Sequence, residues 1–359
     1  MADSTEKLSR TQLQSRAKEA GIPANLKSES IMRELRKPAA ERRQTKRAQG
    51  QTKRAQGQTK RAHGQTRRGR SSTIKAAATA RKPLAPARTI ACASRLAGAK
   101  YQVGTSGFMV SRSAWLKLPC LNCIEINSTF YHLPKESTVA SWNALPAHVG
   151  VVIKASKYIT HMKRLIDVRE PWEKLWKLIK PLGGRLRCVL FQLPPSFKYK
   201  EENMERVVAM RKFLPKDLQV AFEFRDVSWF EPIVYEEMRK LNFCMVGTFV
   251  KKAEASKWLG TMPKGLLLPP LTSDINYIRV HGGRGYRGSL TPSQLEEIRA
   301  AFHKQKARHS IVMFNNTFFD RRGQHCDVGG QNIRYAAVCN AAEFTTLLTP
   351  TQSLRVVEA

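Results

Sequence analysis

The stretch Ala221–Phe230, AFEFRDVSWF, decides the fold of this chain, because it begins as a buried strand and ends in charged residues. Side chains alternate along a strand, so Glu223 and Arg225 are expected on the same side of it. Two opposite charges at the end of an apolar strand indicate a polar pocket. The alternative interpretation is a structural ion pair at the mouth of a barrel.

Apolar runs of strand length recur from about residue 100 onward, and helical patterns fall between most of them. The predicted strands are 101–105, 123–126, 150–155, 187–193, 219–224, 243–249, 275–280 and 310–314. The predicted helices are 172–179, 202–213, 231–241, 291–302 and 340–348, the last two opening with capping residues at Thr291 and Asn340. Eight strands that alternate with helices predict an α/β fold, a TIM-type (β/α)₈ barrel. An open doubly wound sheet is the alternative, although no G-x-G-x-x-G follows the first strand.

Polar or charged side chains end seven of the eight predicted strands, and a barrel places its chemistry at these ends. Because buried charges need compensation, their convergence indicates a functional pocket. The candidate catalytic residues are Glu125, Lys154, Glu223, Arg225 and His281. The candidate ligand-binding residues are Ser106, Asn127, Tyr131, Gln192, Trp229, Arg279, Tyr286, Asn315 and Asn316.

The chemistry of this pocket is predicted from its charges. Cations outnumber acids, which favours an anionic ligand such as a phosphate or a carboxylate. Tyr131, Trp229 and Tyr286 are candidates for stacking on a base or a sugar. Either glutamate serves as a general base if burial raises its pKa, with His281 or Lys154 as the acid. A glycosidase-like use of both carboxylates is a third option and needs a separation of about 5–10 Å. Too few acidic and histidine ligands are present for a two-metal site, so no metal or other cofactor is expected.

The N-terminal quarter carries a concentrated positive charge. The chain has 359 residues and a formal net charge of +34, and residues 1–90 hold 23 basic and 6 acidic side chains. Such a density predicts binding to a polyanion, with nucleic acid first and an anionic membrane surface second. Residues 44–69 repeat QTKRAQG with a period of seven, but alanine is the only apolar residue and glycine recurs, which predicts a disordered linker. The predicted nucleic-acid contacts are Lys18, Lys27, Arg33, Arg36, Lys46, Arg47, Lys53, Arg54, Lys60 and Arg61.

Residues 5–37 have the spacing of two short amphipathic helices, with Gly21 and Pro23 between them. The segment TQLQSRAKEAGIPANLKSESIMREL resembles a SAP motif, in the variant of nucleolar and spindle-associated proteins. This resemblance implies a helix–loop–helix that contacts duplex DNA. A helical hairpin used for protein contact is the alternative.

The strand-end motifs resemble the YecE-like family, also called domain of unknown function 72. The matching segments are VGTSGF (103–108), EINSTFY (125–131), KASKYITH (154–161), FQLPPSF (191–197), FEFRDVSWF (222–230), RVHG (279–282) and FNN (314–316). The resemblance spans about residues 101–349 and implies a TIM barrel. It implies no reaction, because the activity of the family is not established. Two departures are Phe108, where tryptophan is commoner, and the long stretch 317–335 after the eighth strand.

Four regions are therefore predicted: a SAP-like module (1–40), a basic linker (41–99), the barrel (100–350) and a C-terminal tail (351–359). Seven cysteines, an odd number, fit a reducing compartment, and Cys120 and Cys123 lack the second pair that a zinc site needs. Cys123 is expected to pack at the start of a strand. No apolar run is long enough to span a bilayer, and the N-terminus does not resemble a signal peptide. With nucleic acid preferred over a membrane surface as the polyanion, no membrane partner is expected.

The predicted function is an enzyme of hydrolase or lyase type that acts on a phosphorylated or nucleic-acid-related substrate. Its expected partners are nucleic acid, DNA more than RNA, bound through the N-terminal arm, and a small anionic ligand in the barrel. The expected location is nuclear or nucleoid-associated. The alternative is a non-catalytic module that binds a small anion or a nucleotide and associates with chromatin. A chromatin or RNA scaffold is a third possibility.

Overall fold

A curled sheet of ten strands, covered by helices, forms the centre of a computed structural model of the chain. The structure describes residues 100–251, 259–282, 287–319 and 324–348, together with 88–90, 15–17, 19, 20, 32 and 35. The chain divides into two units, Met1–Arg81 and Lys82–Ala359, and the sheet lies in the second.

Strands and helices alternate along most of the second unit. The strands are β1 (Arg88–Ile90), β2 (Tyr101–Ser106), β3 (Cys123–Ile126), β4 (Gly150–Lys154), β5 (Leu186–Gln192), β6 (Val220–Glu223), β7 (Phe243–Met245), β8 (Gly247–Val250), β9 (Gly265–Leu267), β10 (Ile275–His281), β11 (His309–Asn315), β12 (Cys326–Val328) and β13 (Gln331–Ile333). The α-helices are α1 (Arg112–Leu116), α2 (Glu136–Asn143), α3 (Arg169–Ile179), α4 (Glu201–Met210), α5 (Pro232–Lys240), α6 (Pro292–Gln305) and α7 (Ala336–Leu348). The α/β class predicted from sequence is confirmed.

The order of the large sheet is β7-β6-β5-β4-β3-β2-β11-β10-β8-β9, and every pair is parallel except β8 with β9. The predicted strand 243–249 is divided at Val246, whose backbone N–H donates to Phe222 O at 2.9 Å. Before this residue the chain pairs with β6, and after it the chain pairs with β10. The sheet is therefore barrel-like, because the stretch 243–250 pairs with β6 through its first half and with β10 through its second half.

Most strands of the sheet are buried on both faces, which explains their nearly continuous apolar runs, whereas β9 at the edge is half-buried. One apolar cluster, with Cys123, Leu190 and Met313, is separate from a larger cluster that includes the helix residues Trp172 and Leu295. Gly104 is required where β2 meets β3, because a Cβ there would stand 1.6 Å from Cys123 O. Cys123 itself opens β3 and is fully buried, as predicted.

Capping sets the start of one of the two helices whose first residues were predicted, and packing sets the start of the other. α6 begins as predicted, with Thr291 and Gln294 forming a capping box. α7 begins at Ala336 rather than at Asn340, so the predicted start was wrong. The segment before Asn340 is apolar and fully buried, and packing extends the helix through it. The Asn340 side chain is used for a tertiary contact, because its Oδ1 accepts a hydrogen bond from Leu290 N at 2.8 Å.

A second sheet of three strands, in the order β1-β12-β13, lies beside α7. A disulfide joins Cys326 of β12 to Cys339 of α7, and Cys120 is also disulfide-bonded. Cys123, Cys188 and Cys244 are free and buried. Cys120 consequently has no thiolate to offer a metal, and the reducing compartment inferred from the cysteine count stays a prediction.

Few residues of the first unit are described. Residues 15–17 and 19 are α-helical, and Ala20 N donates to Arg16 O at 3.0 Å, within the first predicted helix. The ten predicted nucleic-acid contacts, the repeat and the C-terminal tail lie outside the described residues. Within the part of the chain that the structure describes, no helix is both long and apolar enough to cross a membrane.

Candidate active site

Arg279, near the carboxyl end of β10, joins the two candidate carboxylates. Its Nε donates to Glu125 Oε2 at 2.9 Å, and its Nη2 donates to Glu125 Oε1 at 2.7 Å. Its Nη1 donates to Glu223 Oε2 at 2.5 Å. Arg279 is 1% exposed and both glutamates are fully buried. A planar guanidinium with five N–H groups suits this arrangement, in which one cation is shared by two carboxylates.

Glu223 has two further partners on its other oxygen. Arg225 Nη2 lies 2.7 Å from Glu223 Oε1, and His281 Nε2 lies 3.1 Å from the same atom. The prediction that Glu223 and Arg225 point the same way is confirmed, and both interpretations of the pair hold in part. Glu223 and Arg225 form a buried ion pair, and this pair belongs to a larger group of titratable side chains at the strand ends.

The pKa of both carboxyl groups is lowered. Burial by itself raises the pKa of Glu125, but the charge and hydrogen bonds of Arg279 outweigh burial. Burial likewise opposes ionisation of Glu223, and the charges of Arg225 and Arg279 hold its pKa well below the usual range. The condition for a glutamate base, a pKa raised by burial, is therefore not met. A glycosidase-like pair also needs one protonated carboxyl, and neither residue supplies it.

His281 is neutral at physiological pH, because burial and then the charge of Arg225 lower its pKa to about 4. Two arginines consequently balance two glutamates, and the histidine adds no charge. The excess of cations expected from sequence is reduced, at the centre of the site, to Lys154.

Lys154 ends β4, next to β3, and its side chain is half-buried. Its Nζ lies 4.2 Å from the centroid of the Phe130 ring. Among the described residues, no group gives this amine a hydrogen bond or an ion pair within 4.0 Å. Burial, followed by the positive charge of Arg279, lowers the pKa of Lys154 to about 7. At neutral pH the amine is thus divided between its charged and neutral forms.

The loop after Lys154, residues 156–168, has an unusual backbone. Tyr158–Met162 is a π-helix, a rare element that is frequent at functional sites. Arg164, Leu165 and Asp167 have φ values of 49°, 65° and 49°, and a bulky leucine in the left-handed region is strained. Strain of this kind clusters at active sites and ligand clamps.

His161 lies in this loop and packs edge-on against Phe130, with ring centroids 5.0 Å apart. The Thr160 hydroxyl donates to Ser156 O, so it accepts from His161 Nδ1 at 2.9 Å, and Nε2 keeps the lone pair. Burial and the charge of Lys154 lower the pKa of His161 to about 4. His161 and Lys154 thus flank the same aromatic ring as two neutral or partly neutral bases.

Two residues that sequence reasoning did not propose belong to the site. Tyr277 donates its hydroxyl to Glu125 Oε2, and Phe130 carries both Lys154 and His161. Tyr277 stands two residues before Arg279, so the alternation of β10 that predicts Arg279 also points to Tyr277. Phe130 lies in the 3₁₀ turn after β3, within the EINSTFY segment at the end of a predicted strand, and this position was the signal that could have found it.

Several predicted ligand-binding residues lie at the strand ends without a direct part in the charged cluster. Ser106 is buried with its Oγ unpartnered among the described residues, whereas Asn127 and Asn315 are half-buried. Tyr131 is 67% exposed and packs edge-on against Phe130. These four side chains remain candidates for ligand contact.

Trp229 does not line the site. Its ring is fully buried and stacks on the rings of Phe224 and Phe197, with centroid distances of 3.9 Å and 5.5 Å. The Trp229 ring therefore cannot stack on a ligand. The apolar end of AFEFRDVSWF is core, because Asp226 caps the 3₁₀ turn and directs Trp229 inward.

Gln192 and Asn316 are occupied by the fold. Gln192 is buried and donates to Leu193 O. Asn316 Nδ2 donates to Gly288 O and to Asn340 Oδ1, whereas Asn316 Oδ1 is buried without a partner among the described residues. Their amides hold backbone and loop in place. Tyr286 lies outside the described residues. No group of three or more metal-ligating side chains is present among the described residues.

The family model described as "Protein of unknown function DUF72" matches residues 116–325. The chain belongs to the DUF72 family. The UPF0759 protein YunF of Bacillus subtilis (strain 168) is 26% identical over 219 residues, which cover 54% of this chain and 76% of YunF.

Two solved structures of DUF72 proteins resemble the fold. The Enterococcus faecalis V583 protein EF0366 is 21% identical with a TM-score of 0.56, covering 70% of this chain and 98% of that one. The Thermotoga maritima MSB8 protein TM1631 is 24% identical with a TM-score of 0.54, covering 69% and 99%. These likenesses establish the DUF72 fold and carry no information on substrate.

Proposed function

We propose that this DUF72 protein is an enzyme whose active site lies at the carboxyl ends of β3, β4, β6 and β10, with Lys154 as its titratable catalytic group. The observation that carries the proposal is the partly neutral Lys154 amine, unpaired among the described residues and beside a cluster whose other charges are balanced. A general acid or base works best when its pKa lies near the working pH. A group of this kind also marks a candidate functional site on physical grounds.

A substrate that contains phosphate suits the charges around Lys154. The loop that follows it carries Lys157, Lys163 and Arg164, and its first acidic residue is Asp167. Lys157 and Arg164 are exposed, and Lys163 is half-buried. Cations on one loop beside an amine favour a phosphate over a neutral ligand. The reaction class we propose is hydrolase or lyase, with no metal or other cofactor.

The site rests on a fold that we infer to be a (β/α)₈-type barrel. Its sixth strand would be the stretch 243–250, divided at Val246 but paired on one side with β6 and on the other with β10. In that architecture the catalytic residues come from the ends of several strands, as Glu125, Lys154, Glu223 and Arg279 do.

The arm before the barrel supports a nucleic-acid partner. Its 23 basic and 6 acidic residues in positions 1–90 and its SAP-like segment favour tethering to DNA rather than to RNA, with a small anionic ligand in the barrel and no membrane partner. We therefore propose a nuclear or nucleoid-associated location and a phosphorylated substrate related to nucleic acid.

The test is ³¹P NMR of the full-length protein incubated with inorganic phosphate, AMP, glucose 6-phosphate and glyceraldehyde 3-phosphate. We expect conversion of at least one organic phosphate by the wild type, lost in Lys154→Met. Lys177→Met, at an exposed position of α3, is the matched control and should retain it. If no organic phosphate reacts and none broadens its resonance, the proposal of a phosphate-specific enzyme is wrong.

A non-catalytic binding module is the second candidate. It is favoured by one observation, namely that both glutamates are ionised and fully hydrogen-bonded, so neither donates a proton. In the same NMR experiment, this module would broaden the AMP or phosphate resonance without new signals. It would then be a small-anion or nucleotide sensor with chromatin association through the arm.

A further inference from the structure

The amine of Lys154 differs from the other charged groups of the site in its freedom to react. Arg279 and Arg225 are committed to carboxylates, and a guanidinium is a poor nucleophile because it stays protonated. The Lys154 Nζ faces an aromatic ring and is shared with no carboxylate among the described residues. Lysines that are desolvated or placed next to another cation are the ones that attack carbonyl groups.

The backbone at Lys154 is tied to the turn that follows the neighbouring strand. The Thr129 hydroxyl shares its one proton between Lys154 O at 2.7 Å and Ile126 O at 3.0 Å, which ties the end of β4 to the turn after β3. That turn contains Phe130, over which the amine lies. The backbone that carries the amine is therefore anchored, and the amine lies over a ring of the same turn, which limits the positions that the nucleophile can take.

We propose that Lys154 forms an imine with an aldehyde or ketone group of a phosphate-bearing substrate, and this inference rests on the proposed function. The neutral Nζ attacks the carbonyl carbon, the C=O π electrons move to oxygen, and one N–H proton is passed to that oxygen. The resulting carbinolamine loses its hydroxyl with a proton as water, and a C=N bond remains. Amine plus carbonyl thus gives imine plus water, and no oxidant or reductant takes part.

His161 is the group placed to move these protons. Its Nδ1 is held by Thr160, so Nε2 has the free lone pair, and its ring packs edge-on against Phe130, the ring over which the amine lies. A base of this type takes the proton from the attacking amine and returns it to the leaving hydroxyl. The cations Lys157, Lys163 and Arg164 of the same loop are the candidates for holding the phosphate.

Reductive trapping tests the inference directly. The full-length protein is incubated at pH 7 with glyceraldehyde 3-phosphate or with glyceraldehyde, sodium borohydride is added to reduce any imine to a stable amine, and the labelled lysine is located by peptide mass spectrometry. We expect Lys154 to be labelled at least ~10-fold faster than the exposed Lys177, because an ordinary lysine has a pKa near 10.4 and almost no neutral amine at pH 7. Glyceraldehyde 3-phosphate should label it faster than glyceraldehyde.

Comparing the two aldehydes distinguishes a failure of the imine inference from a failure of the proposed function on which it rests. If Lys154 is labelled equally by both aldehydes, the imine stands and the phosphate preference of the proposed function fails. If phosphate compounds bind or react in the NMR experiment but Lys154 is labelled no faster than Lys177, the imine is overturned. Because the labelled lysine is located in the wild-type protein, the result does not depend on the folding of a variant. His161→Gln adds a readout, a slower labelling of Lys154 with its pH midpoint retained.

Discussion

At the scale of single residues, the site is a balanced charge cluster with one amine left over. Arg279 satisfies Glu125 and part of Glu223, and Arg225 and His281 satisfy the rest of Glu223. Sharing cations between buried carboxylates is what keeps both of them ionised. Lys154 is not paired with either carboxylate, and we propose that the function depends on it.

The first prediction concerns Glu223. Replacement by glutamine keeps the volume but removes the carboxylate that faces Arg225 and Arg279, and a buried charge without its partner costs about 3–5 kcal/mol of unfolding free energy. Urea unfolding of Glu223→Gln should reveal this loss. Glu297→Gln, at an exposed position of α6, is the control and should stay within about 0.5 kcal/mol of the wild type. An unchanged midpoint for Glu223→Gln would contradict the ion-pair network.

The second prediction is a pH dependence of stability at Lys154. The folded pKa of about 7 lies below the unfolded value near 10.4, so the protonated lysine destabilises the fold fully below pH 7, and this cost fades as the pH rises to about 10. Lys154→Met should therefore raise Tm more at pH 6 than at pH 9, as measured by thermal unfolding. Lys177→Met should change Tm by the same small amount at both values. A larger gain at pH 9 would reverse the sign and refute a depressed pKa.

At the scale of elements, close approach of neighbouring strands makes the sheet intolerant of extra atoms. The carbonyl of Cys123 would be 1.6 Å from a Cβ at position 104, and that carbonyl belongs to backbone that cannot give way. Gly104→Ala should destabilise the protein by about 1–3 kcal/mol or more in chemical unfolding. Gly184→Ala, where a Cβ meets nothing within 4 Å, is the control and should be nearly neutral. Equal stability of both variants would contradict the packing of β2 on β3.

Many of the strands and helices were predictable from the sequence, because buried parallel strands produce apolar runs that end in polar residues. β3 was predicted at its observed bounds, and the capping box at Thr291 placed the start of α6. Asn340 has the same local signal, yet buried packing extends α7 past it. Trp229 was assigned to the pocket because it follows the end of β6, but it lies in a 3₁₀ turn that directs its ring into the core.

The charge state of the site was not predictable, because it depends on distances between strands that lie far apart in the chain. Glu125 and Arg279 are 154 residues apart, and only the folded sheet brings them to 2.7 Å. The sequence therefore left open whether burial raises the pKa of a glutamate or an ion pair lowers it. The structure pairs these groups and leaves Lys154 as the titrating residue.

At the scale of the whole molecule, a barrel-like DUF72 fold follows an arm of high positive charge. Phosphate contacts release counterions, so binding of the full-length protein to a fluorescent duplex should weaken by about 10³ or more between 50 and 200 mM salt if six or more contacts form. Replacing the Lys-Arg pairs of the repeat, Lys46 to Arg61, with glutamine should flatten this dependence in anisotropy titrations. An affinity that is independent of salt would contradict the proposed tether.

The central claim is that Lys154 exchanges its proton near neutral pH while the groups around it stay ionised or neutral. The most direct measurement is an NMR titration of the full-length protein labelled with ¹³C at lysine Cε, with the Lys154 resonance assigned by its absence from Lys154→Arg. We predict a midpoint at about pH 7 for this resonance. A Lys154 resonance that titrates together with the surface lysines would contradict the account.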